Sequence, residues 1–145
     1  MKLSTRSRYG MRAMYELALN YKNGPVPIKT ISKNLDVSGK YLHALLTILK
    51  SGGLVRSVWG SQGGFILSLP PSKICVYDIV KTLEGPISVV NCVADKRLCS
   101  KSKECVTREI WIDVSMAIEK VLSDISLNDM LQKRNDKKKK KASDR

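Results

Sequence analysis

The stretch Asp36-Val37-Ser38-Gly39-Lys40-Tyr41-Leu42-His43-Ala44-Leu45-Leu46-Thr47-Ile48-Leu49-Lys50 decides how the chain folds. Leu42, Leu45, Leu46 and Leu49 fall at i, i+3, i+4 and i+7, the stripe of a helix with one buried face. Ser38 can cap its first turn by accepting from a free backbone N–H, and Gly52-Gly53 stops it. Residues 28–34 predict a shorter helix with Ile28, Ile31 and Leu35 on one side, and Asp36-Val37-Ser38 is the tight turn between the two. The face opposite the leucines carries Ser38, Lys40, Tyr41, His43, Ala44 and Thr47, groups able to meet phosphates and base edges. Two short helices, a three-residue turn and a polar outward face near the start of the second make a helix-turn-helix pattern.

Downstream, Leu54-Val55-Arg56-Ser57-Val58 and Phe65-Ile66-Leu67-Ser68-Leu69 are β-prone runs separated by Trp59-Gly60-Ser61-Gln62-Gly63-Gly64. A hairpin directly after a helix-turn-helix is a wing. Arg56, Trp59, Ser61 and Gln62 are its candidates for backbone or minor-groove contact. The glycines do not make a phosphate cradle, because no lysine-serine/threonine pair follows and no helix opens there. Upstream, Met14, Leu17, Ala18 and Tyr21 give residues 8–21 a helical stripe that Gly24-Pro25-Val26-Pro27 ends. After Pro70-Pro71-Ser72, residues 76–83 predict another short helix, with Val76, Ile79, Val80 and Leu83 apolar and Gly85-Pro86 closing it.

Three of the four cysteines, Cys92, Cys99 and Cys105, follow in a polar, charged segment. Six residues separate the first two and five the last two. Structural zinc is usually gripped by thiols two to four residues apart, whereas the ligands of an iron–sulfur cluster can come from longer loops. Lys96, Arg97, Lys101 and Lys103 favour the thiolates that ligate metal. A disulfide or thiol switch ranks behind a cluster, and zinc behind both. Cys75 opens an apolar run and is expected in the core rather than in a ligand set.

Residues 107–125 form the longest periodic segment, with Ile110, Trp111, Val114, Ile118, Val121, Leu122 and Ile125 on one stripe. Such a face at the end of a small domain is expected to pair with a second copy, giving a homodimer. The net charge of +13 suggests a polyanionic partner, double-stranded DNA. Eight Lys or Arg against two Asp place +6 of it on residues 133–145, which lack apolar periodicity and are expected to be a disordered basic tail. One histidine and no convergent carboxylate pair argue against an enzyme. No apolar run suits a bilayer or a secretory leader, so a cytoplasmic, nucleoid-associated protein is expected.

The expected fold is mainly α with a small β-hairpin: a winged helix-turn-helix domain plus a long C-terminal dimerisation helix. Its parts are the DNA-binding domain over residues 1–84, a linker and cysteine loop over 85–106, a dimerisation helix with a short following helix over 107–132, and the tail.

Particular residues carry a resemblance: Leu3-Ser4-Thr5-Arg6-Ser7-Arg8-Tyr9, Gly24-Pro25-Val26-Pro27, Ser38 with Tyr41-Leu42, Gly52-Gly53-Leu54-Val55, Gly60 with Gly63-Gly64-Phe65, the cysteine triad, and Cys105-Val106-Thr107 leading to Trp111. Over about residues 1–135 the chain resembles the Rrf-two family of bacterial regulators, and within it the IscR-like iron–sulfur cluster regulators. The resemblance implies a dimeric winged-helix regulator, in the first instance a repressor acting on a palindromic operator, that senses iron–sulfur status, redox state or nitric oxide. It implies a cluster, 2Fe-2S before 4Fe-4S, on Cys92, Cys99 and Cys105. The cluster regulators carry a histidine where this chain has Arg108, which leaves Glu109 or an exogenous group as fourth ligand, with Asn91 and Asp95 behind them. They also carry a glutamate where His43 stands and commonly an arginine where Trp59 stands, so a different operator preference is implied. Leu83-Glu84-Gly85-Pro86-Ile87-Ser88 is similar to a cysteine-metabolism repressor of the same family that lacks the triad and answers to a protein partner. That branch supplies the alternative: a cluster-free thiol switch or partner-controlled repressor.

Overall fold

Leu42, Leu45, Leu46 and Leu49 are each at most 1% exposed, and the other elements are wrapped round them. A computed structural model describes residues 2–144. The elements run α1 (Thr5–Leu19), α2 (Ile28–Leu35), α3 (Gly39–Ser51), β1 (Val55–Val58), β2 (Gly64–Leu67), α4 (Val76–Glu84), α5 (Asn91–Ala94), α6 (Val106–Ser123) and α7 (Leu127–Ser143). Single 3-10 turns lie at Pro71–Lys73 and Lys96–Leu98. The fold is mainly helical with one antiparallel hairpin, as the periodicities predict.

The leucine face of α3 meets Met14 and Leu17 of α1, Ile31 of α2, Val55, Phe65 and Leu67 of the hairpin, Ile79 and Leu83 of α4, and Leu127 at the start of α7 in one continuous core. Each large aliphatic side chain so buried stabilises the fold by about 1.5–3 kcal/mol relative to exposure. Hairpin register pairs Val55 with Leu67 and Ser57 with Phe65, so alternation sends Val55, Phe65 and Leu67 inward and Arg56 outward. Beyond the hairpin, Val26 and Phe65 exchange backbone hydrogen bonds at 2.9 and 3.0 Å, which ties the α1–α2 connection to the wing. Gly64 permits that approach, because a Cβ there would lie 2.3 Å from the Val26 carbonyl oxygen.

At the other end of the domain, Ser4 caps α1 and is itself gripped by Glu84, whose carboxylate accepts from the Ser4 N–H at 3.0 Å and from its hydroxyl. The Ser4 hydroxyl holds the Glu84 carboxyl below its ordinary range. Cys75 is a correction: it is half-buried at the N-cap of α4 rather than in the core, with its thiol donating to Asp78 at 2.9 Å, while the neighbouring Ile74 is fully buried. Burial, then the Asp78 carboxylate, push that thiol up.

Helix α6 spans about 27 Å at 1.5 Å per residue. It is fastened at its middle and just beyond its end. The Val89 N–H donates to Ser115 Oγ at 3.2 Å, and beyond the helix the Val76 N–H donates to the Ile125 carbonyl at 2.8 Å while the Leu127 N–H donates to that of Ile74 at 3.0 Å. Much of the apolar stripe stays open, with Ile110 54% and Val121 59% exposed.

The expected disordered tail over 133–145, and the short helix before it, are corrected by α7, which runs without a break from Leu127 to Ser143. Lack of apolar periodicity does not forbid a helix that is nucleated upstream. Here Ser126 and Asp129 form a reciprocal capping box, and Leu127, Met130 and Leu131 pack on the core. Lysine propagates a helix well and suits its C-terminal end. Arg145 and Met1 lie outside the described residues.

Candidate DNA-binding face and cysteine loop

Ser38 caps α3, its hydroxyl accepting from the Tyr41 N–H at 3.2 Å, and this fixes where the exposed face of the helix begins. Lys40, His43 and Thr47 stand open to solvent. Tyr41 is half-buried, edge-on to Tyr9 at 6.1 Å, and the Arg12 guanidinium lies 5.3 Å over the Tyr9 ring. Packing therefore commits part of Tyr41, and Arg12 joins the same surface.

A groove of about 490 Å³ separates α3 from the wing, lined among others by His43, Thr47, Lys50, Ser57, Trp59 and Phe65. The His43 ring meets Phe65 edge-on at 6.4 Å, and Lys50 Nζ donates to Ser57 Oγ at 2.8 Å. These two contacts set the aim of the wing relative to α3. Trp59 is 94% exposed at the hairpin tip, where Ser61 and Gln62 are also open. Arg56 is not brought to this groove. It lines a cleft with Tyr21, Lys22 and Ile66 on the other side of the hairpin, as strand alternation requires. Lys50 and Arg12 are not legible as site residues from motif alone. A signal for Lys50 exists, since residues 43, 47 and 50 follow the i, i+4, i+7 spacing of one face.

In the second candidate site, Cys92 sits in α5, Cys99 follows the turn Lys96–Leu98, and Cys105 is the N-cap of α6. All three are free and half-buried. The Thr107 hydroxyl, 3.2 Å from the Cys105 sulfur, and then the Arg108 backbone N–H hold that thiol below its ordinary value. Arg108 Nε donates to the Cys92 carbonyl at 3.0 Å. Asp95 is engaged by Arg97 in an ion pair at 2.9 Å, so that cation serves the carboxylate rather than a thiol. Glu109 is exposed on the first turn of α6, a position that suits a negative charge. The loop thus ties Cys92 and Cys105 to the N-terminal end of α6, with Cys99 on the turn between them. It does not gather them: among the described residues no three His, Cys, Asp or Glu side chains are close enough together to hold a metal ion.

No described helix is long and apolar enough to cross a membrane. Residues 3–133 match the Rrf2 family, described as an iron-dependent transcriptional regulator. Over 130 residues the chain is 38% identical to the HTH-type transcriptional regulator CymR of Bacillus subtilis, covering 90% of this chain and 89% of that one. The solved structure of CymR, the global cysteine regulator of B. subtilis, superposes with a TM-score of 0.75 over 90% of this chain and 95% of its own. T. potens IscR is 38% identical with a TM-score of 0.75, covering 92% of this chain and 88% of that one. IscR of Aliivibrio salmonicida is 35% identical over 131 residues, which is 90% of this chain and 77% of that one. With its winged helix-turn-helix and a match that runs nearly its full length, the chain belongs to the Rrf2 family of DNA-binding transcriptional regulators, which are not enzymes.

Proposed function

We propose that this regulator represses transcription as a homodimer on a palindromic operator, and that its hold on DNA is set by an iron–sulfur cluster, 2Fe-2S, on Cys92, Cys99 and Cys105. One observation carries the reading: the three thiols occupy the segment leading into α6, and Cys105 is the residue that caps it. In kind, the donors fit such a group, being half-buried thiols in a polar loop, one of them already biased towards thiolate. Gathering them requires the loop to close further than it does in the isolated chain. Glu109 or an exogenous group completes the set. A bound cluster would supply reversible electron storage and reactivity towards oxygen or nitric oxide.

The protein's own part is mechanical. Arg108 ties the backbone of Cys92 to the first turn of α6, Ser115 ties the strap at Val89 to its middle, and Ile74 and Val76 hold the segment beyond its end. A shift of the loop therefore moves α6 against α4, which packs on the core behind α3. The open apolar stripe of α6 supports pairing of two copies along it, which sets the spacing of the two wings.

The likeness to CymR, together with thiols that stand apart, favours a second reading: a cluster-free regulator of cysteine metabolism, controlled by thiol oxidation or by a protein partner. Iron and sulfide content and visible absorption after anaerobic purification, with operator binding before and after cofactor removal, separate the two. Two irons and two sulfides per chain with DNA binding that follows them is the result expected. Colourless dimer that binds DNA equally well under both conditions means the second reading.

A further inference from the structure

We propose that the C-terminal half of α7 is a second DNA-contacting element, a lysine stripe that grips backbone phosphates independently of the bases met by α3. The proposal rests on the reading of this chain as a duplex-DNA binder. Residues 133–141 hold Lys133, Arg134 and Lys137 through Lys141 against the single Asp136. These cations are not on a loose tether. The capping box at Ser126 and the packing of Leu127, Met130 and Leu131 on the core weld the helix to the winged domain. Met130, Lys133, Arg134, Lys137, Lys138 and Lys141 recur at helical spacing and, with Tyr15 of α1, line a groove of about 440 Å³.

A further observation points to an external anion. Lys133 and Lys137, Arg134 and Lys138, and Lys137 and Lys141 are like-charged pairs at i, i+4, which repel. Among the described residues the ion pairs are Arg97 with Asp95 and Lys120 with Asp124, so no ion pair reaches the stripe, and the attraction of Asp129 touches only Lys133 at its start. A polyanion laid along the helix would.

The chemistry favours DNA over an acidic protein. Residues 132–144 contain one apolar side chain, Ala142, and no aromatic, so the stripe lacks the buried anchors on which protein interfaces depend. Lysines are point charges without a guanidinium's fork, suited to following phosphates without reading sequence. From Lys133 to Lys141 the helix advances about 12 Å, a length over which duplex DNA carries about seven phosphate charges.

The test uses the full chain and a variant with Lys137, Lys138, Lys139, Lys140 and Lys141 all changed to Gln, which keeps helix propensity, with helicity checked by circular dichroism. Binding to a mixed-sequence duplex of about 30 base pairs, three helical turns, is followed by fluorescence anisotropy across a sodium chloride series. The variant should bind on the order of a hundredfold more weakly at low salt, with a log–log salt slope shallower by about two to four units, near 0.9 for each phosphate no longer neutralised. Equal slopes overturn the proposal. So does polyglutamate competing as well as DNA, which would make the stripe an acidic-protein site. A Lys40→Ala control separates the failures: if it weakens binding while the five-lysine variant does not, the role of α3 stands and that of α7 falls. If even the unaltered chain does not bind duplex, both fall.

Discussion

Arg108 Nε donates to the Cys92 carbonyl oxygen at 3.0 Å, so the base of α6 and the first thiol of the loop are held as one piece. A half-exposed hydrogen bond of this kind contributes about 1 kcal/mol. Arg108→Ala should therefore speed alkylation of Cys92 about fivefold by freeing the loop more often. Mass-spectrometric labelling rates check this, and an unchanged rate would mean that other contacts hold the loop.

Lys40 is exposed and cationic at the start of α3, whereas Arg56 is turned to the other side of the hairpin from the groove. Lys40→Ala should flatten the salt dependence of DNA binding by about one unit of slope, and Arg56→Ala should flatten it less. His43→Ala, by contrast, should leave the slope nearly alone and redistribute preference among operator sequences. Selection of bound oligonucleotides from a random pool reads out that difference.

The stripe Val114, Ala117, Ile118, Val121 and Leu122 lines a wholly apolar surface groove. Val121 is 59% exposed in the single chain, so Val121→Glu should barely alter the fold of one copy. In a dimer built on α6 it would bury an unpaired charge, weakening association by on the order of a hundredfold or more. Sedimentation velocity against concentration reads this directly, and a variant that sedimented like wild type would place the dimer contact elsewhere.

Glu84 is held below its ordinary carboxylate value of 4.5, first by the Ser4 hydroxyl. A carboxyl depressed in the folded state stabilises it above the unfolded value, and that stabilisation fades as pH falls through the folded value. Glu84→Gln should accordingly be less stable than wild type, by about 1 kcal/mol, at neutral pH. The gap should close as pH drops below 4.5. Urea titrations at neutral pH and in the acid range provide the comparison, and a gap that stayed constant would mean that the carboxylate charge is not its cause.

Gly64→Ala places a Cβ against the Val26 carbonyl and should break the backbone pairing of Val26 with Phe65. Overpacking of this sort destabilises by about 1–3 kcal/mol. Thermal melts give the magnitude, and amide exchange at Phe65 shows whether that pairing is the one broken.

Much of this architecture is legible in the chain because local signals and burial agree. The leucines of α3, the Ser38 cap and the glycine-bounded hairpin each specify one conformation, and the core uses all of them. Arg56 shows where pattern stops: sequence proximity groups it with Trp59, but strand alternation turns it to the other side of the hairpin. The three thiols are legible as a set by spacing, whereas their separation depends on how α5 and the following turn fold, and short elements carry too little periodicity to specify that. Helix α7 is hard to read for a different reason. A lysine run has no apolar face, and its helicity is decided upstream by Ser126 and Asp129, whose box is present in the sequence.

Because α7 is one uninterrupted helix from its docked first turn onwards, its distal cations inherit an azimuth as well as a charge. Inserting a single residue between Leu131 and Lys133 would swing everything beyond it by about 100° around the axis. A floppy extension tolerates insertions and deletions freely. This one is phased to the body that carries it, so changes in its length should be tolerated in steps near a whole turn.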